Sequence, residues 1–517
     1  MANSAVKLKT SSTPSSKKST SLDTTEIIKS RRSQELVIAL CGAVGSGIKN
    51  LQKNLLDQLD KNDYHVEHIR LSDLIADYSS ENESEKERIK NLVGFARYKE
   101  LQDLGDSLRN QYGNGIVSEF AIGRIALLRE SNFGSDLNTP PRALKVTKKV
   151  AYIIDQVKHP DEIELLREVY RNNFYLIGLL RTENERRKNL KENDRMTETE
   201  IVSLIERDRK ATEKYGQQVE ESLHKSDYFI RNIDVAEKIS KSVDRFIKLV
   251  HGTNHITPTK DETGIYAAYS ASLRSACLSR QVGAAITDDI GVVISTGCND
   301  VPKFGGGLYD SETSRDNRCF NLDQGLCHND KHKSILRSEI ESILNVYNIV
   351  NSKDIADKIL KNSKAKSLIE YSRAIHAEMD AIIALARSSN NTLGRTLYCT
   401  TYPCHICARH IVASGIKRVV YIEPYEKSLA IELHSDAIYQ PENRTQEEKV
   451  LFENFEGVSP KRYAKFFGIS KVRKDNNGRA MPYAIKDSGH VDPQYLDSYF
   501  DYELKIIGIL REKFPES

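Results

Sequence analysis

The spacing of apolar residues along the chain predicts two successive α/β units. From Gln34, ELVIALCGAVGSGIKNLQKNLLDQL reads as a buried strand, a glycine-rich turn and an amphipathic helix with Leu51, Leu55, Leu56 and Leu59 on one face. KKVAYIIDQVKHPDEIELLREVY adds a strand ending in Asp155 and then a helix, RNNFYLIGLL a third strand, and DYFIRN a short fourth before a helix that ends near Val250. Strands alternating with helices in this way predict a parallel sheet over 34–252. The charged run 181–210 reads as polar helix, the kind of segment that forms a mobile lid. HGTNHITPTKDETG (251–264) is the linker candidate. A second α/β unit is expected over 253–517. It comprises a helix at GIYAAYSASLRSACLS, strands VGAAITDD and GVVISTG, an irregular insert around 302–370, the helix-forming EYSRAIHAEMDAIIALARS, a strand TLYCTTYP, a helix CHICARHIVASGI and a strand KRVVYIE. From about 430 onward the pattern assigns no role.

Composition narrows the class. The chain has 517 residues, 39% of them hydrophobic and 29% charged, enough for sizeable cores in a globular protein. No window approaches the roughly 18 uninterrupted apolar residues of a membrane helix. The first residues also lack the apolar core of a secretion signal, so the expected location is cytoplasmic. The net charge of +3 is unevenly spread: residues 1–34 carry seven Lys/Arg and two acids, leaving the rest at about −2. A basic, Ser/Thr-rich leader over 1–33 is expected to be disordered. The near-neutral body and the absence of Trp argue against a polynucleotide substrate. Six of the eight cysteines fall within 298–407, in no secreted disulfide pattern, which points to metal ligands or structural thiols.

The chemistry concentrates in His376-Ala-Glu378 and Pro403-Cys404-His-Ile-Cys407. Two cysteines three apart at a helix start put both sulfurs on one face, where the helix dipole favours thiolates. His376 supplies a third donor, and three protein ligands leave a fourth tetrahedral position open, the catalytic pattern of zinc. Glu378, two residues beyond a ligand, is placed to shuttle protons. A closed structural site would need another ligand; Cys399 and His405 are at hand, but His405 should point away from the face shared by the two cysteines. H-x-E…P-C-x-x-C is the mark of zinc-dependent nucleobase deaminases.

Beyond the motif, SACLSRQVGAAITDDIGVVISTGCND (275–300), HAEMDAIIALAR (376–387) and TLYCTTYPCHICARHIVASGIKRVVYIEPY (396–425) resemble the deoxycytidylate deaminase branch of the cytidine deaminase fold. The resemblance implies that Asn299 holds the deoxyribose and that Ser279, Arg280 and Gln281 lie near the substrate phosphate. It also implies a free nucleotide substrate and a homo-oligomer. The whole layout, with YIIDQVKHPDEIELLREVY, FARYKELQDLGDSLRNQYG and FENFEGVSPKRYAKFF, resembles bacterial anti-phage deoxycytidine-nucleotide deaminases, in which a kinase-like front half is fused to the deaminase. That implies action on dCTP or dCMP and depletion of the dCTP pool. Two alternatives stay open: a housekeeping dCMP deaminase serving thymidylate synthesis, and a polynucleotide cytidine deaminase.

Two further sets are candidates. Gly42, Gly45, Ser46, Gly47 and Lys49 form a degenerate phosphate loop after the first strand, with Ile48 where Lys belongs and Lys49 where a Ser or Thr would bind magnesium. The expected architecture is thus a P-loop kinase-like parallel-sheet domain followed by a cytidine-deaminase-like α/β/α domain. The loop reads as a regulatory nucleotide site, a structural remnant or an active kinase site; Arg181, Arg186 and Arg187 are candidate phosphate clamps. Cys319, Cys327, His328 and His332 are candidates for a second, structural zinc, or else ordinary loop residues covering the nucleotide.

Overall fold

The computed structural model describes residues 32–133, 149–209, 214–232, 235–253, 255–363, 365, 368–388, 390–423, 428–440, 448–469, 471–481 and 483–514. All but the last two residues of the leader expected to be disordered lie outside the described residues. The first sheet contains β1 (Glu35–Gly42), β2 (His65–Arg70), β3 (Val150–Asp155), β4 (Phe174–Leu180) and β5 (Tyr228–Arg231). Their order is β5-β4-β1-β3-β2, and every neighbouring pair is parallel. β1 is central and buried at all eight positions, which is why its sequence is an unbroken apolar run. β2, reading HVEHIR, has only Ile69 buried, so its polar edge character hid it from the hydrophobic pattern. Helix Ile48–Asp60 covers one face with Leu51, Leu55 and Leu59 fully buried, and Leu56 packs beside them.

The second sheet has the order β10-β11-β9-β8-β6-β7. It comprises β6 (Gly283–Thr287), β7 (Val293–Cys298), β8 (Thr396–Thr401), β9 (Arg418–Glu423), β10 (Ile438–Tyr439) and β11 (Val450–Asn454). β6 runs antiparallel to both β7 and β8, while β8, β9, β11 and β10 are parallel. Helices Lys260–Ser272, Ala377–Ala386 and His405–Ala413 pack on this sheet. The insert holds helices His328–Val346, with no buried residue, and Ser352–Asn362, with only Ala356 buried.

The chain does not stay in the second sheet. β12 (Gly457–Val458) pairs antiparallel with β5 in the first sheet, and helix Leu496–Lys513 packs against helix Ile116–Phe133. The expected division at 252/253 did not foresee this return. Three clusters hold it. Glu503 and Glu35 share the buried Arg129 guanidinium. Glu262 takes both Arg245 Nη atoms at 2.7 Å and the Val458 amide at 2.8 Å, and its other task is the capping box with Thr259. Tyr64 Oη lies 2.8 Å from His251 Nε2 and 3.0 Å from His490 Nε2, both rings buried. Lys149 and Lys471 close that third cluster by donating to carbonyls of 485, 488, 489 and 251.

Candidate metal centre and pocket

The helix Ala377–Ala386 lies directly on β7 because Gly297 has no side chain. A Cβ there would sit 2.2 Å from the Ala377 carbonyl oxygen and 2.4 Å from the Ala381 nitrogen. That approach fixes the helix N-terminus, where His376 is the N-cap and Glu378 stands in the first turn. Just ahead of it, the Ile375 amide donates to the Asp300 carbonyl at 3.0 Å. Across the site, Cys404 is the N-cap of helix His405–Ala413 and its sulfur accepts from the Cys407 amide.

His376 Nδ1 lies 3.2 Å from Cys407 Sγ and 3.3 Å from Cys404 Sγ. Zinc bonds of about 2.0 Å to nitrogen and about 2.3 Å to sulfur require tetrahedral N···S edges of about 3.5 Å, so this set closes on zinc with only small adjustment. Among the described residues it is the one group of three His, Cys, Asp or Glu ligand atoms within 4.8 Å of one another. Neither Cys399 nor His405 joins it. Cys319, Cys327, His328 and His332 do not gather into such a set, so the candidate second zinc lacks a formed site among the described residues. Cys319, Cys327 and His328 instead line the pocket, and the His332 ring stacks on Tyr371.

The two sulfurs are driven apart: the hydrogen bond to Cys404, together with burial, pushes the Cys407 thiol well up. A hydrogen bond from Cys407, with His376 adding, lowers the Cys404 thiol to about 4 despite its burial. The same Cys404 sulfur raises His376. Burial pushes the Glu378 carboxyl up, and the Cys404 thiolate pushes it further. Glu378 is 4% exposed and, like His376 and Cys404, lines a cavity of about 210 Å³.

Of the residues expected to meet substrate, Ser279, Arg280 and Asn299 line this cavity. Asn299 is braced rather than free: its Oδ1 accepts from the Val282 amide at 2.7 Å and its Nδ2 donates to the Arg280 carbonyl at 2.7 Å. The Arg280 guanidinium pairs with Glu423. Gln281 is a correction: it donates to the Ser275 carbonyl at 2.7 Å and is not among the lining residues. The sequence reading missed Arg373, which also lines the cavity. Its only sequence signal is a cation three residues ahead of a metal ligand.

The glycine loop follows β1, with φ of +81° at Gly45 and +83° at Gly47. Ile48 is buried in the core and Lys49 is exposed. The Val44 amide donates to Asp208 Oδ2 at 2.7 Å, and Lys158 pairs with the same buried carboxylate. The segment expected to be a mobile lid is packed down: Val44 shares a buried cluster with Leu190, Met196, Ile201, Leu204 and Ile205. Those apolar positions on helices Glu183–Asn193 and Glu198–Arg209 were masked by the surrounding charges. Arg187 is spent on Glu183 and Glu198, Arg186 is buried, and Arg181 lies beside Gly47.

Comparison with known proteins agrees with this geometry. The family profile "Cytidine and deoxycytidylate deaminase zinc-binding region" matches residues 258–423. The deoxycytidylate deaminase of Enterobacteria phage T4 is 34% identical over 170 residues, 33% of this chain and 80% of its own. The chain belongs to the deoxycytidylate deaminase family. The phage T2 deoxycytidylate deaminase is similar, 33% identical over 33% of this chain and 82% of its own. The solved dCMP deaminase of cyanophage S-TIM5, in complex with dCMP and dUMP, aligns over 39% of this chain and 100% of its own at 21% identity, with a TM-score of only 0.23. Zinc is the family's metal, and His376, Cys404 and Cys407 are the donors this chain offers for it. No helix among the described residues is long and apolar enough to cross a membrane.

Proposed function

We propose that this protein is a zinc-dependent hydrolase that converts free deoxycytidine nucleotides, dCMP or dCTP, to the uracil products with release of ammonia. The observation that carries this reading is Glu378 buried beside the His376–Cys404–Cys407 donor set and lining the same cavity as His376 and Cys404. In the proposed arrangement those three residues hold zinc. When bound, the ion lowers the pKa of water so that hydroxide is available near neutral pH. Glu378 takes a proton from the attacking water and delivers it to the ring nitrogen beside C4. It then carries the second proton to the departing amine, so that water and cytosine become uracil and ammonia. Asn299 braces the 280–282 backbone that forms one wall, and Ser279 and Arg280 are proposed to face the nucleotide.

The named relatives are deoxycytidylate deaminases, which supports the monophosphate and is equally compatible with a housekeeping role. The resemblance of the whole layout to anti-phage deoxycytidine-nucleotide deaminases supports the finer reading, an enzyme that drains dCTP during phage infection, and the parallel sheet with its glycine loop suits control from the front unit. The order β2-β3-β1-β4-β5, with the loop at the carboxyl end of β1, is consistent with a P-loop kinase-like unit. Ile48 and the packed-down helices favour a regulatory nucleotide site over kinase catalysis.

The test is to incubate purified protein with dCMP, dCTP, CTP and single-stranded DNA, with Glu378→Ala as control, and to follow ammonia and uracil formation. Deamination of deoxynucleotides, lost in the variant, is expected. Activity confined to oligonucleotides would refute the substrate class, and activity surviving the substitution would refute the mechanism.

A further inference from the structure

The pocket carries two arginines, and their circumstances differ. Arg280 is neutralised by Glu423 and is half exposed. Arg373 lines the same cavity as Glu378 and forms no ion pair with any described residue. Its one hydrogen bond runs from Nη1 to the Asn317 carbonyl at 2.9 Å, which fixes one end of the guanidinium and leaves its other donors unspent. Two lining carboxylates are already committed. Asp300 accepts from the Ala276 and Val301 amides at 2.9 and 2.8 Å and sits 3.6 Å from Arg318, while Glu378 faces the metal donors. Asp330 stands exposed at the rim.

We propose that Arg373 is the residue that recognises the 5′-phosphate of the nucleotide in this pocket, and so sets the preference for nucleotide over nucleoside. This inference rests on the deaminase reading above and adds a specificity-determining contact to it. A planar guanidinium pinned at one nitrogen has lost part of its rotamer freedom before substrate arrives, and its remaining donors match phosphate oxygens in pairs. Arg373 also precedes His376 by only three residues on a segment anchored by the Ile375–Asp300 backbone bond. The cation is therefore held in register with the metal donors.

The experiment measures kcat and KM on dCMP and on deoxycytidine, which lacks the phosphate, for the wild type, Arg373→Gln and Arg373→Lys, with zinc content checked in each. Arg373→Gln is expected to lower kcat/KM for dCMP by about 100-fold, chiefly through KM, and to leave deoxycytidine nearly unchanged. Arg373→Lys should recover part of the loss, and inorganic phosphate should inhibit the Gln variant less than the wild type. Equal losses on both substrates would overturn the proposal and leave Arg373 as a tether for the Asn317 loop. A wild type inactive on all deoxycytidine compounds would instead overturn the deaminase reading itself.

Discussion

Acidification should loosen the return of the chain to the first sheet, and the cluster around Tyr64 sets the size of the effect. His251 Nδ1 donates to the Ser488 carbonyl, 3.0 Å away, so its bare Nε2 accepts the Tyr64 hydroxyl. The Tyr64 oxygen then accepts from His490 Nε2–H, and the buried His490 Nδ1 is left with no protein partner. Both rings are thus built into the fold as neutral imidazoles. Burial lowers His251 to about 2 and His490 to about 3, with Lys149 and Lys471 opposing any added charge. In the unfolded chain both titrate near 6.5. The folded pKa is depressed, so the stability they contribute is complete above about 6.5 and is lost as pH falls from there toward the folded values. Between pH 7 and 5 each ring costs about 2 kcal/mol, about 4 kcal/mol for the pair. Urea-unfolding midpoints read by circular dichroism at pH 7, 6 and 5 measure this. His490→Gln, which cannot titrate, should cut the difference between pH 7 and 5 by about half. An identical pH dependence in wild type and variant would refute the assignment of neutral, buried rings.

Three other outcomes are expected. Glu378→Gln should lower kcat by about 10²- to 10⁴-fold with zinc content unchanged; a variant that loses its zinc as well would assign Glu378 to metal binding. Gly47→Val puts a branched side chain at a φ of +83°, with the Asn232 amide 2.6 Å from its Cβ, and should abolish the nucleotide binding proposed for the front loop, read by equilibrium dialysis. Unchanged affinity there would reduce the loop to a structural remnant. Glu262→Ala leaves Arg245 without its carboxylate and removes the capping box, and should cost about 3–5 kcal/mol in denaturant titration; a loss under 1 kcal/mol would show that Arg245 finds water instead.

What the sequence made legible follows from how local each signal is. The metal centre was readable because its donors come from two short segments, each opening a helix, so spacing alone put them on the right faces. β1, β3 and β4 were readable because a central parallel strand must be apolar on both sides. β2 was not, since an edge strand tolerates His65, Glu67 and His68. The lid misled because its charged exterior outnumbers the few apolar residues that bind it to Val44. Gln281 misled because its side-chain amide turns back to the Ser275 carbonyl, a contact that residue spacing does not reveal. Arg373 escaped because it lies in an irregular stretch where no period applies.

Residues 32–33 and 494–495 meet at one edge of the first unit. Ser33 donates to the Gln494 carbonyl at 2.7 Å, Arg32 bridges Tyr495, and β12 lies on β5, so the second sheet is a loop-out of the first. A protease that cuts between 251 and 259 would therefore nick the protein without parting it. A gene fragment starting at 253 would carry Val458, Phe466 and Leu510 as surfaces with nothing to cover them. Three clusters, not the linker alone, fasten the metal unit to the front sheet.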